Sequence, residues 1–368
     1  MNNLELQSLY QRSNVEGNKQ FQRLSEKTQV MMPQNGQEEV VKNRLTHSYE
    51  VGTSSLMMAS NIAFSLNLKS EDIDYRGSLF SVSLLHDIGH SPFGHDGATY
   101  LDKYFKDLGV KDGFSDNNNN LVIIEKNNIV VSDYTTASVI KYPKKLYGFQ
   151  KTRYIALLEK ALAEDKEHFA KLGIDLKDQK LTIACQIMDE ADRNSYACSD
   201  ISDFLCLGNT IDLRKLHRIA KEEKVYARYN ELTTLSNMIK SGSKGSIKAY
   251  FNELKNRFNL NYKLTSDGIM VIDKELEDYR EFLTKICGVF YIGKVREEQF
   301  HKDNMKAFKQ YIDDVVQGKY SPSETYTKKI STAKNQIQKY TYMRDMISEV
   351  SDWYILKYKE EMLKKGLL

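Results

Sequence analysis

Proline is scarce in this 368-residue chain, at four residues, and nineteen glycines add few further breaks. So few breakers argue against an architecture of many short strands joined by tight turns. The four cysteines (Cys185, Cys198, Cys206, Cys287) form no CxxC pair and no zinc-ribbon spacing. That excludes a disulfide framework and a cysteine-built zinc module, and leaves them as small buried apolar residues. No apolar run approaches membrane-spanning length, and Met1 to Glu5 carries neither a basic nor an apolar targeting segment. The expectation is a cytoplasmic, reduced protein with no membrane partner. Excess charge of one sign is missing too: 53 Lys+Arg against 50 Asp+Glu gives +3. Bulk electrostatics therefore make no case for nucleic-acid binding. Single-stranded nucleic acid would need a local patch, and Lys141 to Lys151 and the basic C-terminal helix are the candidates.

What the chain does have is helical periodicity, over a length that suits one large domain or two. Ser54 to Leu66 and Thr182 to Leu207 read as amphipathic helices, the second with Ile183, Ala184, Ile187, Met188 and Ala191 on its early apolar face. Lys274 to Phe290 and Ile330 to Lys365 read as helices as well. The strand signal is confined to Tyr262 to Ile272, a small hairpin around Asp267-Gly268. The fold class is mainly α with at most a small β hairpin. No repeat is visible. Polar, glycine-bearing stretches occur at Gly113 to Asn120 and at Ser241 to Ser246, and the first reads as a loop, on the surface or over a site. The second sets a soft boundary near residue 240, giving a motif-bearing core over 1–240 and a C-terminal helical subdomain over 241–368 without obvious chemistry.

Four of the seven histidines fall between residues 47 and 95, three of them within His86-Asp87-Ile88-Gly89-His90-Ser91-Pro92-Phe93-Gly94-His95. Leu84-Leu85 suggests that His86 and Asp87 end a buried helix, where an adjacent His and Asp cost several kcal/mol unless a partner compensates them. A metal does so directly. His47 upstream and the carboxylates of Met188 to Arg193 downstream supply further oxygen and nitrogen donors. Three or four mixed N/O ligands with open positions make a catalytic arrangement, and the chain reads as a metallohydrolase.

Five strings in order resemble the HD-domain superfamily, and more narrowly its deoxynucleoside triphosphate triphosphohydrolases, the dGTPase-like family. They are Phe21 to Val30, Arg44 to Val51, His86 to His95, Lys141-Tyr142-Pro143 and Ala191 to Tyr196. The resemblance implies an HD-type helical core with His47, His86, Asp87 and Asp192 as ligands of a divalent metal. Mn²⁺ and Mg²⁺ lead for such a set, with Fe and Zn²⁺ open. It further implies that His90 and His95 face a triphosphate, with His95 protonating the leaving 5′-oxygen. Arg44 and Arg193 would hold phosphate, Tyr196 would pack on the deoxyribose, and Gln29 would touch the sugar or base edge. Asp192, Tyr196 and Asp200 stand at i, i+4 and i+8, so one helix face carries all three. The activity implied is hydrolysis of a dNTP, dGTP foremost, to deoxynucleoside and tripolyphosphate by a closed homo-oligomer, a tetramer or hexamer, with the C-terminal part as interface material.

One departure stands out. The family carries a carboxylate three residues past the histidine of its "PFGH" string, and this chain has Ala98 there. Asp96 is the nearest substitute, given a different turn of the loop. Other HD-type chemistries, 5′-nucleotidase or phosphodiesterase, and a weakly active nucleotide sensor remain as rivals.

Overall fold

A computed structural model describes residues 3–32, 41–146, 151–177, 179–223, 225, 229–321 and 324–367. It is an assembly of helices with a single two-stranded antiparallel sheet among the described residues. The helices that matter below are α1 (Asn3–Glu16), α2 (Arg44–Ser65), α3 (Leu79–Leu85), α4 (Gly94–Asp107), α5 (Asp116–Lys126), α6 (Asp133–Ser138), α7 (Lys151–Lys171) and α8 (Ile183–Cys206). They are followed by α9 (Leu213–Glu222), α10 (Tyr229–Ser241), α11 (Lys244–Asn259), the strands β1 (Tyr262–Leu264) and β2 (Met270–Ile272), and α12 (Lys274–Ile286). A π-helical segment, Cys287–Ile292, leads into α13 (Gly293–Glu297), and α14 (Gln299–Val316), α15 (Glu324–Ser331), α16 (Gln336–Ser348) and α17 (Asp352–Lys364) complete the chain.

Local chemistry sets the ends of these helices. Asn43 caps α2 by accepting from the Thr46 N–H, and Thr182 caps α8 by accepting from the Cys185 N–H. The hairpin pairs Tyr262 with Ile272 and Leu264 with Met270, and Gly268 takes the positive φ of +73° that its turn requires. All four cysteines are buried. Two expectations are corrected. Gly113 to Asn120 is not a loop throughout: α5 begins at Asp116, and Asn118, Asn119 and Asn120 are buried. The span Ile330 to Lys365 is not one helix but the end of α15 followed by α16 and α17, restarted by the side-chain caps Asn335 and Ser351.

Three of the apolar clusters tie these elements together. One joins α2, α3 and the start of α8 to the hairpin; a second joins the end of α8 to α9 through α12; a third joins α4 to α14, α16 and α17. The second runs unbroken from Leu235 to Ile247, so apolar packing is continuous across residue 240. Helix α8 packs on both α2 and α11 and forms the spine from which the cleft opens.

Candidate metal centre

Helix α3 ends at Leu85, and His86 forms its C-cap, so His86 and Asp87 emerge side by side where the chain leaves the core. The His86 ring is fully buried, and its Nδ1 lies 2.6 Å from the Ser83 carbonyl oxygen. That contact places the proton on Nδ1 and leaves the Nε2 lone pair free. Nε2 has no hydrogen-bond partner although it is buried. It lies 3.5 Å from Asp192 Oδ1 and 3.5 Å from Asp87 Oδ1. His47, from the first turn of α2, brings Nε2 to 2.9 Å from the same Asp192 oxygen. One donor atom each of His47, His86 and Asp192 lies within 4.8 Å of the others. Asp87 stands beside this triplet, its Oδ2 held by Arg44 at 2.7 Å and its Oδ1 3.1 Å from His90 Nε2. A buried, unpartnered imidazole nitrogen facing two carboxylates and a second imidazole is a donor set that fits a divalent cation. Burial opposes ionisation of Asp87 and Asp192, but neighbouring charges prevail: His86, His90 and Arg44 for Asp87, Lys141 and His86 for Asp192. Both carboxyls stay well below their ordinary pKa.

The loop after His86 is clamped from behind by the asparagines of α5. The Asn120 amide donates to the His86 carbonyl and its oxygen accepts from the Gly89 N–H, both at 2.6 Å. Asn119 donates to the Gly89 carbonyl at 2.7 Å. Residue 89 must be glycine, because a Cβ there would meet Asn120 N at 2.3 Å and Asp116 O at 2.4 Å. Asp116 accepts from the Ser91 N–H through Oδ1, and its Oδ2 lies 3.2 Å from His90 Nδ1. Burial and Arg44 disfavour the charged His90 ring, yet Asp116 and Asp87 raise its pKa above the ordinary value.

A cavity of about 930 Å³ opens beside these groups. It is lined by Arg44, Asp87, His90, His95 and Asp192, and also by Gln29, Arg193, Tyr196 and Asp200. The sequence-predicted residues therefore share one cavity wall, apart from His47 and His86 behind it. Their engagements differ from a simple phosphate cradle. Arg44 is committed to Asp87, and Arg193 to Glu190 at 2.9 Å and Glu281 at 2.5 Å. The Gln29 side-chain oxygen is buried with no partner. Burial, then Asp203, raises the Asp200 carboxyl well above its usual range. His95 is open to the cavity, in the first turn of α4. Its surroundings withdraw water from the ring, and His90 and Arg44 add repulsion, so its pKa is lowered. Asp96 turns to Arg296 of α13, at 2.6 to 3.1 Å, and to His301 of α14, at 3.1 Å. The His301 bond, then Arg296, holds its pKa well down, against the effect of burial.

Sequence reasoning gave no role to several groups here. Lys141 reaches Asp192 at 2.7 Å and Asp189 at 3.0 Å, and these carboxylates raise its pKa although burial lowers it. The Lys141-Tyr142-Pro143 string marked the place but not the contact. Asp116 and the buried asparagines were masked by a composition typical of turns. The basic stretch from Lys141 contributes Lys141 and Tyr142 to the cavity, while its residues 147–150 lie outside those described. Among the described residues no helix is long and apolar enough to cross a membrane.

No family model matches the chain. It is similar to a deoxyguanosinetriphosphate triphosphohydrolase-like protein of Wolinella succinogenes, 27% identical over 228 residues, 60% of this chain and 59% of that protein. A protein of the same description from Corynebacterium glutamicum is 31% identical over 206 residues, 53% of this chain and 45% of that protein. The chain thus matches about half to three-fifths of the length of these curated relatives. A crystal structure of a hypothetical protein from Aquifex aeolicus covers 95% of this chain and 66% of its own at 13% identity, with a TM-score of 0.40, too low to argue from. These relatives support kinship with dGTPase-like proteins.

Proposed function

We propose that the chain is a metal-dependent dNTP triphosphohydrolase, releasing deoxynucleoside and inorganic tripolyphosphate, with dGTP the first substrate to test. The observation that carries it is the buried His86 Nε2, unpartnered and facing Asp192, Asp87 and His47, at the wall of a nucleotide-sized cavity. His47, His86, Asp87 and Asp192 would hold the ion, Mn²⁺ or Mg²⁺ foremost. Bound there, a divalent cation supplies Lewis acidity toward phosphoryl oxygens and lowers the pKa of water.

The remaining work belongs to the chain. Arg44 fixes the orientation of Asp87 by its 2.7 Å contact, and Lys141 does the same for Asp192. Both cations also line the cavity, where their positive field meets a polyphosphate. Gln29, Tyr196 and Asp200 form the wall for sugar and base, with the free Gln29 oxygen ready to accept from a hydroxyl. His95 is neutral near pH 7 in the free protein, because its pKa is lowered. A triphosphate beside it raises that pKa, so the ring takes up a proton from solvent as substrate binds. The protonated His95 then gives its proton to the 5′-oxygen as water attacks the α-phosphorus.

Purified protein incubated with each dNTP and NTP and Mn²⁺ or Mg²⁺, with products separated by chromatography, tests the proposal. Nucleoside plus tripolyphosphate is the expected result. Monophosphate with pyrophosphate, or free phosphate alone, would refute it in favour of another HD-type hydrolase.

A further inference from the structure

Phe93 adopts a left-handed backbone conformation, φ +57° and ψ +29°, immediately before α4. For a bulky residue this costs about 1–2 kcal/mol, and it persists only where surrounding contacts enforce it. The enforcing contacts come from the C-terminal helices. The Phe93 N–H donates to Asp352 Oδ1 at 2.9 Å, and the Phe93 ring meets Phe308 of α14 edge-on, 5.7 Å between centroids. Asp352 lies in the first turn of α17 and is fully buried. Its second oxygen accepts from the Thr28 N–H at 2.9 Å and the Thr28 hydroxyl at 2.7 Å.

The same junction between α16 and α17 receives tethers from the preceding loop. Lys27 donates to the His90 carbonyl and, at 3.0 Å, to that of Ser348. Asn119 donates to the Gly89 carbonyl and the Ser348 hydroxyl. Arg23 donates to the carbonyls of Ile88 and Glu349. Three consecutive loop positions, 88 to 90, and the launching residue of α4 are thus referenced to residues 348–352. The His86 carbonyl is held by Asn120 instead.

We propose that Asp352 is a positioning residue: by fixing the Phe93 N–H it aims the first turn of α4, and so His95, at the cavity, without contributing to the metal site. This inference rests on the phosphohydrolase reading above. It predicts a separation of effects. Asp352→Asn keeps one acceptor but cannot serve Phe93 and both Thr28 donors as the carboxylate does. It should lower kcat for dNTP roughly tenfold or more while KM stays within about threefold, because a slight misplacement of a reacting group is costly in rate. Metal content by elemental analysis should be unchanged. Thr28→Val removes a hydrogen bond from the same carboxylate but leaves the bond between the Phe93 N–H and Asp352 Oδ1 in place, so its kcat should stay near wild type even if its Tm falls.

The proposal is overturned if Asp352→Asn keeps kcat within about twofold, or if Thr28→Val loses kcat to the same extent. If Asp352→Asn fails to fold, Phe308→Leu takes its place: it frees the Phe93 ring and should show the same fall in kcat at constant KM, and wild-type kcat there would sink the idea. Should the wild type hydrolyse no dNTP, it is the proposed function that fails. Positioning is then read from the His95 ring signal by NMR, whose titration midpoint must differ between wild type and Asp352→Asn. An identical midpoint overturns it.

Discussion

Ala98 lines the cavity one turn beyond His95 on α4, and no carboxylate stands at that place. On a helix, residues three apart bring their Cβ atoms to about 5–6 Å, so Ala98→Glu sets a carboxylate beside the His95 ring. At an effective dielectric of 20 that separation corresponds to roughly 3 kcal/mol, but His95 is open to solvent and exposed pairs deliver far less. We take about one pKa unit as the realistic gain, equivalent to about 1.4 kcal/mol. His95 starts from a lowered pKa, held down by its desolvating surroundings, His90 and Arg44. At pH 8 only a small fraction of the free rings carries a proton, and one unit multiplies that fraction by about ten. The expected result is a rise in kcat/KM for dNTP of up to about tenfold at pH 8, shrinking only as pH falls below the lowered pKa of the wild-type ring, where its proton is already in place. A pH–rate profile of the two proteins reads this as a displacement of the alkaline limb. Asp96→Asn should leave that limb in place, since the Asp96 carboxylate is engaged by Arg296 and His301. Coincident alkaline limbs for wild type and Ala98→Glu would remove His95 as the acid. Loss of the limb in Asp96→Asn would transfer the orienting role to Asp96.

His86→Ala and Asp192→Asn should each abolish bound metal and activity while far-UV circular dichroism stays helical; full metal occupancy in both variants would sink the ligand assignment. Burial raises the Asp74 carboxyl to about 6, although the Leu79 and Ser78 N–H groups favour its charged form. Its folded pKa lies above the unfolded value, so its contribution to stability is present below about pH 4 and lost as pH rises through 6. Asp74→Asn keeps an acceptor for the Leu79 N–H and should be more stable than wild type at pH 8 by up to about 3 kcal/mol, the gap closing by pH 4; calorimetry showing no gain at pH 8 refutes it. A closed homo-oligomer, tetramer or hexamer, is expected in light scattering, with the exposed Trp353 as interface material; Tyr358 is already buried within the chain's own third cluster. A monomer across the micromolar range, with and without dNTP, would count against it.

Much of the fold was legible because it depends on periodicity and caps. The apolar face of α8 was readable, as was the hairpin turn at Gly268. Histidine and aspartate placed next to each other at a buried helix end are a pattern that sequence alone displays. Less legible was whatever depends on a polar residue turning inward. Asn118 to Asn120 have the composition of a turn, yet their amides satisfy the backbone of a tight loop, which no local pattern encodes. The C-terminal helices seemed to lack chemistry because Asp352 acts through a backbone N–H 259 residues away. The commitment of Arg193 to Glu281 likewise crosses 88 residues. Type and spacing identify candidates along one helix; they cannot identify partners brought together only by tertiary packing.

The long reach of these tethers also orders events in time. The proposed metal ligands have all been synthesised once residue 192 has left the ribosome. The bond from Lys27 spans 321 residues to Ser348, and that from Phe93 awaits Asp352, near the end of the described chain. Contacts so far apart in sequence form late, after the loop-closure entropy between them has been overcome. A nascent chain can therefore gather ion-binding side chains well before the reactive loop acquires its final aim. On this view competence to bind an ion precedes competence to turn over, and the synthesis of α17 is the event that lets the reactive loop acquire its aim.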